Sequence, residues 1–355
     1  MVSSMCRINV NPGKKMQKKG GGMVCRLKDI AAALNISANT VSCALKGTGK
    51  MSDELRARIK RKAAEMGYVS NLSASALRTG FSKAIAIVYD NNFNPYYSIM
   101  TGLLQKRFSV EKYDVMIFSD WSHRGLLSAD MVRQMLARGI DGIVSFLDAE
   151  EEAYDLIEST GKKLFILGRE SKRPGVETVL TDDETGAYIA TKYLIENGHR
   201  NILYFTVKLS ISCAQRRLDG HRRALAEAKI PFREENVLCI GSDGGSGREM
   251  VMTAAARKLS YTAIFCFNDM FALASMMQLG EYGIRVPEDI SVIGYDHVES
   301  HYFLPIGLTT IDTDKVGMVD IAVRKMVAML EGKEEPQMTL APPRLIVGKT
   351  VAKIG

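Results

Sequence analysis

Between Asn35 and Gly47 the chain reads NISANTVSCALKG, a run without metal-ligand spacing or a nucleophile pattern. Its small polar side chains suit a different chemistry. The Asn39 amide can donate to and accept from adenine together, and the Ala38 methyl fits against a thymine methyl. Ser42 and Cys43 share this outward face, while Val41 and Leu45 are expected to turn inward. Nothing elsewhere suggests catalysis: the five histidines are scattered, and no Ser/His/Asp or metal-binding arrangement recurs. The loop GSDGGSG (241–247) fails the GxGxxG pattern and lacks a Walker lysine, so it reads as a flexible connection into a helix. No catalytic residue, cofactor or metal is therefore expected, although an enzyme acting on a bound small molecule stays open as a rival reading.

Three short helices must position these side chains. Asp29, Ile30, Ala31, Ala33 and Leu34 outline a first helix, Asn35 and Ile36 break it, and Ser37 is a good N-cap for a second helix over Ala38–Leu45. Gly47 stops that helix. A third starts at Ser52 with Asp53 and Glu54 in its first turn, buries Leu55, Ile59, Ala63 and Met66, and ends at Gly67. Two helices across a tight turn followed by a third predict a helix-turn-helix, whose second helix enters the major groove. An ordinary helical hairpin is the alternative.

Charge favours the nucleic-acid reading. Residues 1–80 carry 15 Lys and Arg against 4 Asp and Glu, whereas the remainder carries 32 against 36. Residues 1–25 show no periodicity and are expected to form a disordered basic extension; KKGGGM is also what a purine-rich ribosome-binding site read in frame would encode, making Met23 the expected start. Six cysteines without CxxC or a Cys/His cluster are read as free thiols. With no apolar run near 18 residues and no signal-peptide core, the expected location is the cytoplasm, with no membrane partner.

Beyond Ser82, apolar runs alternate with amphipathic helices: AIAIVY, YDVMIFSD, GIVSFL, KLFILG, ILYFTV, NVLCIG, AIFCFN and ISVIGYD. Such runs predict parallel strands buried on both faces, an α/β class. Eight strands in about 270 residues fit two doubly wound sheets, with a ligand site in the cleft between them.

RLKDIAAALNISANTVSCALKGTGKMSDELRARIKRKAAEMGYVSNLSASALRTG (26–80) resembles the DNA-binding head of the lactose/galactose-repressor (LacI/GalR) family. Its pattern runs from K-D-[IV]-A through S-x-x-T-V-S-R and G-Y to P-N-x-x-A-x-x-L. The resemblance implies a helix-turn-helix domain over 26–70 and a hinge helix over 71–81 that forms when two subunits sit on a near-palindromic operator. Leu77 would then wedge into the minor groove, although packing on the next domain is an alternative. DNA contacts fall by position on Lys28, Ser37, Ala38, Asn39, Thr40, Ser42, Cys43, Asn71, Ser73, Ala74 and Leu77. Cys43 replaces the family's arginine, Ser75 replaces a hinge arginine, and Val69-Ser70 stand where a proline is usual, departures that put the operator sequence in doubt.

The resemblance continues to the C-terminus through NPYY (94–97), GR (168–169), DDETGAYIATKYLIENGHRNI (182–202), RLDGH (217–221), ND (268–269), GYD (294–296) and LTTI (308–311). It implies a periplasmic-binding-protein-like core over 82–355. One subdomain would span about 82–181 and 312–338, and the other about 182–311 and 339–355. By position Tyr96, Tyr97, Arg169, Glu170, Arg217, Phe267, Asn268, Asp296 and Thr313 would face an effector, with arginine and aspartate clamping vicinal hydroxyls. Asp296 ending a strand, Arg217 on a helix surface and Asn268 as an N-cap remain structural alternatives. Because His221 and Ser242 stand at two places where relatives often carry aromatics, the effector is expected to be smaller, or more charged, than a simple hexose. The implied protein is a homodimeric, metabolite-controlled transcriptional repressor. A small-molecule binding protein without gene control is the alternative.

Overall fold

The computed structural model describes residues 25–69, 81–90, 94–119, 125–239, 246–298, 307–333 and 338–355. The chain forms two compact units, Met1–Ala74 and Ser75–Gly355.

The described part of the first unit is three helices: α1 (Leu27–Leu34), α2 (Ala38–Lys46) and α3 (Asp53–Glu65). Each boundary has a local cause. The Arg26 N–H donates to Asp29 Oδ2 at 2.7 Å, closing the start of α1, and Asn35 takes a left-handed conformation (φ 53°) that ends it. Ser37 caps α2 by accepting from the Thr40 N–H at 3.0 Å, and Gly47 (φ 73°) stops it. Ile30, Ala31, Val41, Ala44, Ile59 and Ala63 form the core of this head. Ala44, three residues after Val41, takes the fully buried place expected for Leu45, which lies at the core's edge.

The second unit contains fourteen strands among the described residues. In chain order they are β1 (Ala84–Tyr89), β2 (Asp114–Ser119), β3 (Leu126–Leu127), β4 (Gly142–Ser145), β5 (Asp148–Ala149), β6 (Lys163–Leu167), β7 (Glu177–Thr181), β8 (Ile202–Thr206), β9 (Val237–Cys239), β10 (Ala263–Cys266), β11 (Ser291–Ile293), β12 (Thr310–Asp312), β13 (Met338–Ala341) and β14 (Arg344–Ile346). Two parallel sheets result, β13-β7-β6-β4-β1-β2 and β11-β10-β8-β9. β12 and β14 form a separate antiparallel pair, and β3 lies parallel to β5. Helices α4 (Pro95–Val110), α5 (Ala129–Ala137), α6 (Glu151–Ser159), α7 (Asp183–Glu196), α8 (Ser212–Glu227), α9 (Gly247–Ala256), α10 (Asp269–Glu281) and α11 (Lys315–Leu330) complete it. The two faces of the first sheet are covered by separate apolar clusters, and so are the two faces of the second, as continuous apolar strands require.

The chain crosses between the two sheets after β7, again between β12 and α11, and again between β13 and β14. β13 pairs with β7 through Met338↔Thr178 to Ala341↔Thr181. The expected division at 338/339 is therefore displaced: residues 338–341 belong to the first sheet and the last crossing follows Ala341. The free edge of β7 dictates this, because its outer backbone groups need a partner. β7 itself had no sequence signal, since it opens on Glu177. That carboxylate is tolerated because Lys325, on α11 and 148 residues away, pairs with it in the interior.

Helices α7 and α8 lie backbone to backbone. A Cβ on Gly220 would stand 2.0 Å from the Glu184 carbonyl oxygen, so only glycine fits there. Gly220→Ala is expected to force α7 and α8 apart and destabilise the protein by about 1–3 kcal/mol. Urea unfolding measures this, and an unchanged midpoint would show that the two helices are free to separate.

Candidate functional site

On the head, α2 divides its residues between two roles. Val41 and Ala44 anchor it, and Ala38, three residues before Val41, packs on the same stripe. Ala38 is thus half-buried against the core instead of facing fully outward, a correction to the sequence reading. Asn39 is exposed, and Ser42 and Cys43 are half-buried beside it. The Ser37 and Thr40 hydroxyls lie 2.8 Å apart as part of the cap, so their first role is to fix where α2 begins. Cys43 sits against the turn beyond the helix: a Cβ on Gly49 would lie 3.2 Å from the Cys43 Cβ. Arg56, from α3, donates to the Gly49 carbonyl at 3.2 Å and pins the same turn. Lys28 is exposed at the start of α1. Asn71, Ser73, Ala74 and Leu77 lie outside the described residues, as do Ser75 and the basic extension over 1–24.

In the second unit the remaining expected residues gather at the C-terminal ends of the parallel strands, where doubly wound sheets hold ligands. Tyr96 and Tyr97 occupy the first turn of α4, set by Pro95 and by Asn94, which accepts from the Tyr96 N–H at 3.0 Å. Arg169 and Glu170 follow β6, Phe267 and Asn268 follow β10, and Asp296 follows β11.

Arg217, on α8, is the centre of the second-subdomain half. Its Nε donates to Asp183 Oδ1 at 2.7 Å, its Nη1 to the Phe267 carbonyl, and its Nη2 lies 3.7 Å from Asp296 Oδ1. The guanidinium carbon stands 3.6 Å from the Tyr295 ring centre and 4.6 Å from that of Phe267. Burial works against the Arg217 charge, but Asp183, Tyr295 and Asp296 outweigh it and hold its pKa above the ordinary value. Arg217 is therefore no surface arginine.

Asp296 and His297 both have left-handed backbones (φ 99° and 50°), a conformation that costs energy in residues with a Cβ. Lys315 holds this turn by donating to the Asp296 carbonyl, and also to Asp312 Oδ1 at 3.2 Å. Burial pushes the Asp296 carboxyl up to about 6, with Arg217 and Lys315 pulling it down. Asp269 is raised to about 8, chiefly by burial and then by the charge of Asp296.

The first-subdomain half is aromatic and cationic. Tyr97 stacks on Tyr89 at 5.6 Å and meets Tyr96 edge-on at 5.8 Å. Arg169 hydrogen-bonds Tyr97, donates to the Gly125 carbonyl at 3.2 Å and lies 3.6 Å from Asp90. Burial pushes the Tyr97 hydroxyl up to about 12. Contacts also pass between the two halves. Glu170 pairs with Arg216 of α8, the Glu170 N–H lies 3.4 Å from Ser212 Oγ, and the charges of Asp296 and Asp183 act on Tyr96.

Two expected residues fill quieter roles. Asn268 spends its side-chain carbonyl on the Phe271 N–H at 2.9 Å, which makes it the N-cap of α10. Thr313 is only 1% exposed, and its hydroxyl has no hydrogen-bond partner among the described residues. His221 corrects the argument about missing aromatics. It is buried, stacks on Tyr204 at 5.2 Å and bonds the Thr191 hydroxyl at 2.9 Å, so it belongs to the core of the second sheet. Burial lowers its pKa to about 3, which keeps the ring neutral. Ser242 lies outside the described residues. Asp90, Asp183, Arg216, Asp269 and Lys315 were not singled out in advance. Asp183 and Asp269 lay within quoted motifs, but their pairing across the fold leaves no trace in spacing.

Residues 26–71 match the family described as "Bacterial regulatory proteins, lacI family", and residues 191–351 match the "Periplasmic binding protein-like domain". A protein of Aliivibrio fischeri (strain MJ11) named HTH-type transcriptional repressor PurR is 30% identical over 318 residues, covering 87% of this chain and 92% of that protein. The chain belongs to the LacI family. It is accordingly a DNA-binding transcriptional regulator and not an enzyme. The Ribose operon repressor of Haemophilus influenzae is 27% identical, with 88% of this chain and 94% of that protein covered. Two solved structures share the fold. The lac repressor dimer bound to operator and the anti-inducer ONPF has a TM-score of 0.78 at 23% identity, covering 93% of this chain and all of that one. A complex of the transcriptional regulator CelR with cellobiose has a TM-score of 0.68 at 24% identity, covering 92% and 99%. Among the described residues of this LacI-family chain no helix is long and apolar enough to cross a membrane, and no cluster of three metal-ligating side chains occurs.

Asp269 yields a pH prediction. Its folded pKa of about 8 lies above the ordinary carboxylate value, so the fold favours its protonated form. That stabilisation is complete below about pH 4 and is lost as pH rises through 8, at most about 1.4 kcal/mol per pH unit. Asp269→Asn keeps an acceptor for the Thr310 hydroxyl, which bonds Asp269 Oδ1 at 2.5 Å, and removes the titration. Urea unfolding between pH 5 and 8 is expected to show a flatter decline in this variant. Parallel slopes would mean that Asp269 is ionised in the folded protein.

Proposed function

We propose that this LacI-family regulator represses transcription as a homodimer on a near-palindromic operator, under control of a small hydroxyl-rich metabolite held between the two halves of its core. The observation that carries this reading is the Arg217–Asp183–Asp296 cluster facing Tyr96, Tyr97 and Arg169, with the Glu170–Arg216 pair passing between the two halves. A ligand that prefers one arrangement of the halves shifts their equilibrium, and operator affinity shifts with it by the same coupling free energy. The sugar-bound relatives support a polyol. Hydroxyls hydrogen-bond the arginine and aspartate side chains while an aromatic ring takes the apolar sugar face. DNA recognition falls to Asn39, Ser42 and Cys43 on α2, with Ser37, Ala38, Thr40 and Lys28 around them; Asn71, Ser73, Ala74 and Leu77 would act in the hinge of the bound dimer. On this reading the protein would act where its operator lies, in the cytoplasm. The domains follow this division of labour, with a head over 26–70, a hinge over 71–81 and an effector core from 82 onward.

The test is to incubate the purified protein with sheared DNA from its own genome at physiological salt, where non-specific binding is weak, and sequence what it retains. A few promoter sites sharing a short palindrome are expected; retention without a shared sequence would remove the claim of specificity. Asn39→Ala is expected to relax discrimination at one position of each half-site by roughly 1–3 kcal/mol, read by binding to single-base operator variants. Unchanged discrimination at every position would exclude Asn39 as a base reader. Asp296→Ala is expected to abolish the metabolite response while sparing operator binding, and a normal dose response would count against a ligand at Asp296.

A further inference from the structure

We infer that Arg56, on α3, is a positioning residue for DNA binding: it orients the Gly49–Lys50 peptide, in the turn after α2, toward a backbone phosphate of the operator. The inference rests on the reading of α2 as the helix that faces DNA. It adds a contact that none of the base-reading residues supplies.

The turn is fixed from two sides. The Gly47 N–H donates to the Ala44 carbonyl at 3.3 Å and the Thr48 N–H to the Cys43 carbonyl at 2.9 Å, which closes α2. Gly49 then takes a left-handed conformation (φ 79°) against Cys43, where a Cβ would stand 3.6 Å from the Cys43 Sγ. From the α3 side, Arg56 Nη2 donates to the Gly49 carbonyl at 3.2 Å. The Gly49–Lys50 peptide is trans, so its carbonyl and its N–H point in opposite directions. Holding the Gly49 oxygen toward α3 therefore turns the Lys50 N–H away from it. That N–H has no partner among the described residues, and Lys50 is exposed.

Charge at this place is one-sided. Among the described residues Arg56, Lys46 and Lys50 have no acidic partner; Asp53 and Glu54, the nearest acids in sequence, occupy the first turn of α3 without pairing to them. Arg56 Nη1 is buried with no hydrogen-bond partner, and a Cβ on Gly47 would lie 4.0 Å from it. The guanidinium thus rests on the C-terminal end of α2, whose partial negative charge favours a cation, and its full charge stays uncancelled behind the Lys50 N–H. A phosphate oxygen fits this place: it accepts from that N–H and from the Lys50 ammonium, and it brings the negative charge the turn lacks. Every nucleotide carries the same group, so the contact sets affinity and register and reads no base.

The experiment measures binding of the full-length protein to the operator duplex recovered from its genome and to a scrambled duplex, from about 50 to about 200 mM salt. Arg56→Met keeps the side-chain stem and removes the donors, and Lys50→Gln removes the ammonium. Each is expected to make the slope of log K against log salt shallower by about 0.9, the value of one phosphate contact, and to weaken both duplexes by the same factor. The double variant is expected to lose no more than either single one, because both act on the same phosphate. Arg56→Lys keeps a charge and a donor and is expected to restore the slope. An unchanged slope in Lys50→Gln overturns the phosphate contact, whatever Arg56→Met does to the fold. Losses that add in the double variant overturn the positioning role, since Arg56 then holds a phosphate of its own. Asn39→Ala with unchanged discrimination at every base is a different failure, that of the reading of α2 beneath the inference.

Discussion

A guanidinium removed from water has to be given both its counter-charge and its hydrogen bonds, and the interior of the second subdomain is arranged around that demand at Arg217. Asp183 comes from the start of α7, the Phe267 carbonyl from the end of β10, and Asp296 from the end of β11. Two glycines make room for the assembly. Gly220, one turn beyond Arg217, lets α8 touch α7, and Gly186 leaves space for the Tyr295 hydroxyl, which a Cβ there would meet at 2.2 Å. One buried cation thus ties together two helices and two strand ends.

The same accounting links the two halves of the core. Glu170 follows a strand of the first sheet, yet its charge partner lies on α8 beside the second. Asp312 does similar work at the crossings. It ends β12, and it holds both Lys315 at the start of α11 and Arg344 on the return strand β14. Lys315 in turn holds the left-handed turn at Asp296. The crossings between the halves and the turn at Asp296 therefore share one chain of polar contacts.

The head works on another principle. Its surface chemistry is modest, and its specificity depends on placement: caps at Ser37 and Ser52, left-handed stops at Asn35 and Gly47, and a small apolar core fix which side chains of α2 are left outside. Cys43, where the family pattern has an arginine, presents a small uncharged side chain that rests against the Gly49 turn.

The sequence by itself determined the class of each region. Helix starts and stops are local events within one turn of chain, so the three head helices were legible from Ser37, Asn35, Gly47 and Ser52. The buried parallel strands were legible from their continuous apolar runs, and the motifs holding Arg169, Phe267, Asn268 and Asp296 fall just after strand ends. Tertiary structure alone decided which charges meet. β7 was hidden because Glu177 finds Lys325 only in the fold, and the edge role of β13 depends on an unpaired backbone far away in sequence. His221 became a core residue because Tyr204 lies beneath it, and the cleft arginines became committed because Asp90, Glu170, Asp183 and Asp296 arrive from four separate segments. Caps and periodicity are short-range and leave a pattern in the chain, whereas buried charge pairing acts between segments that only folding brings together.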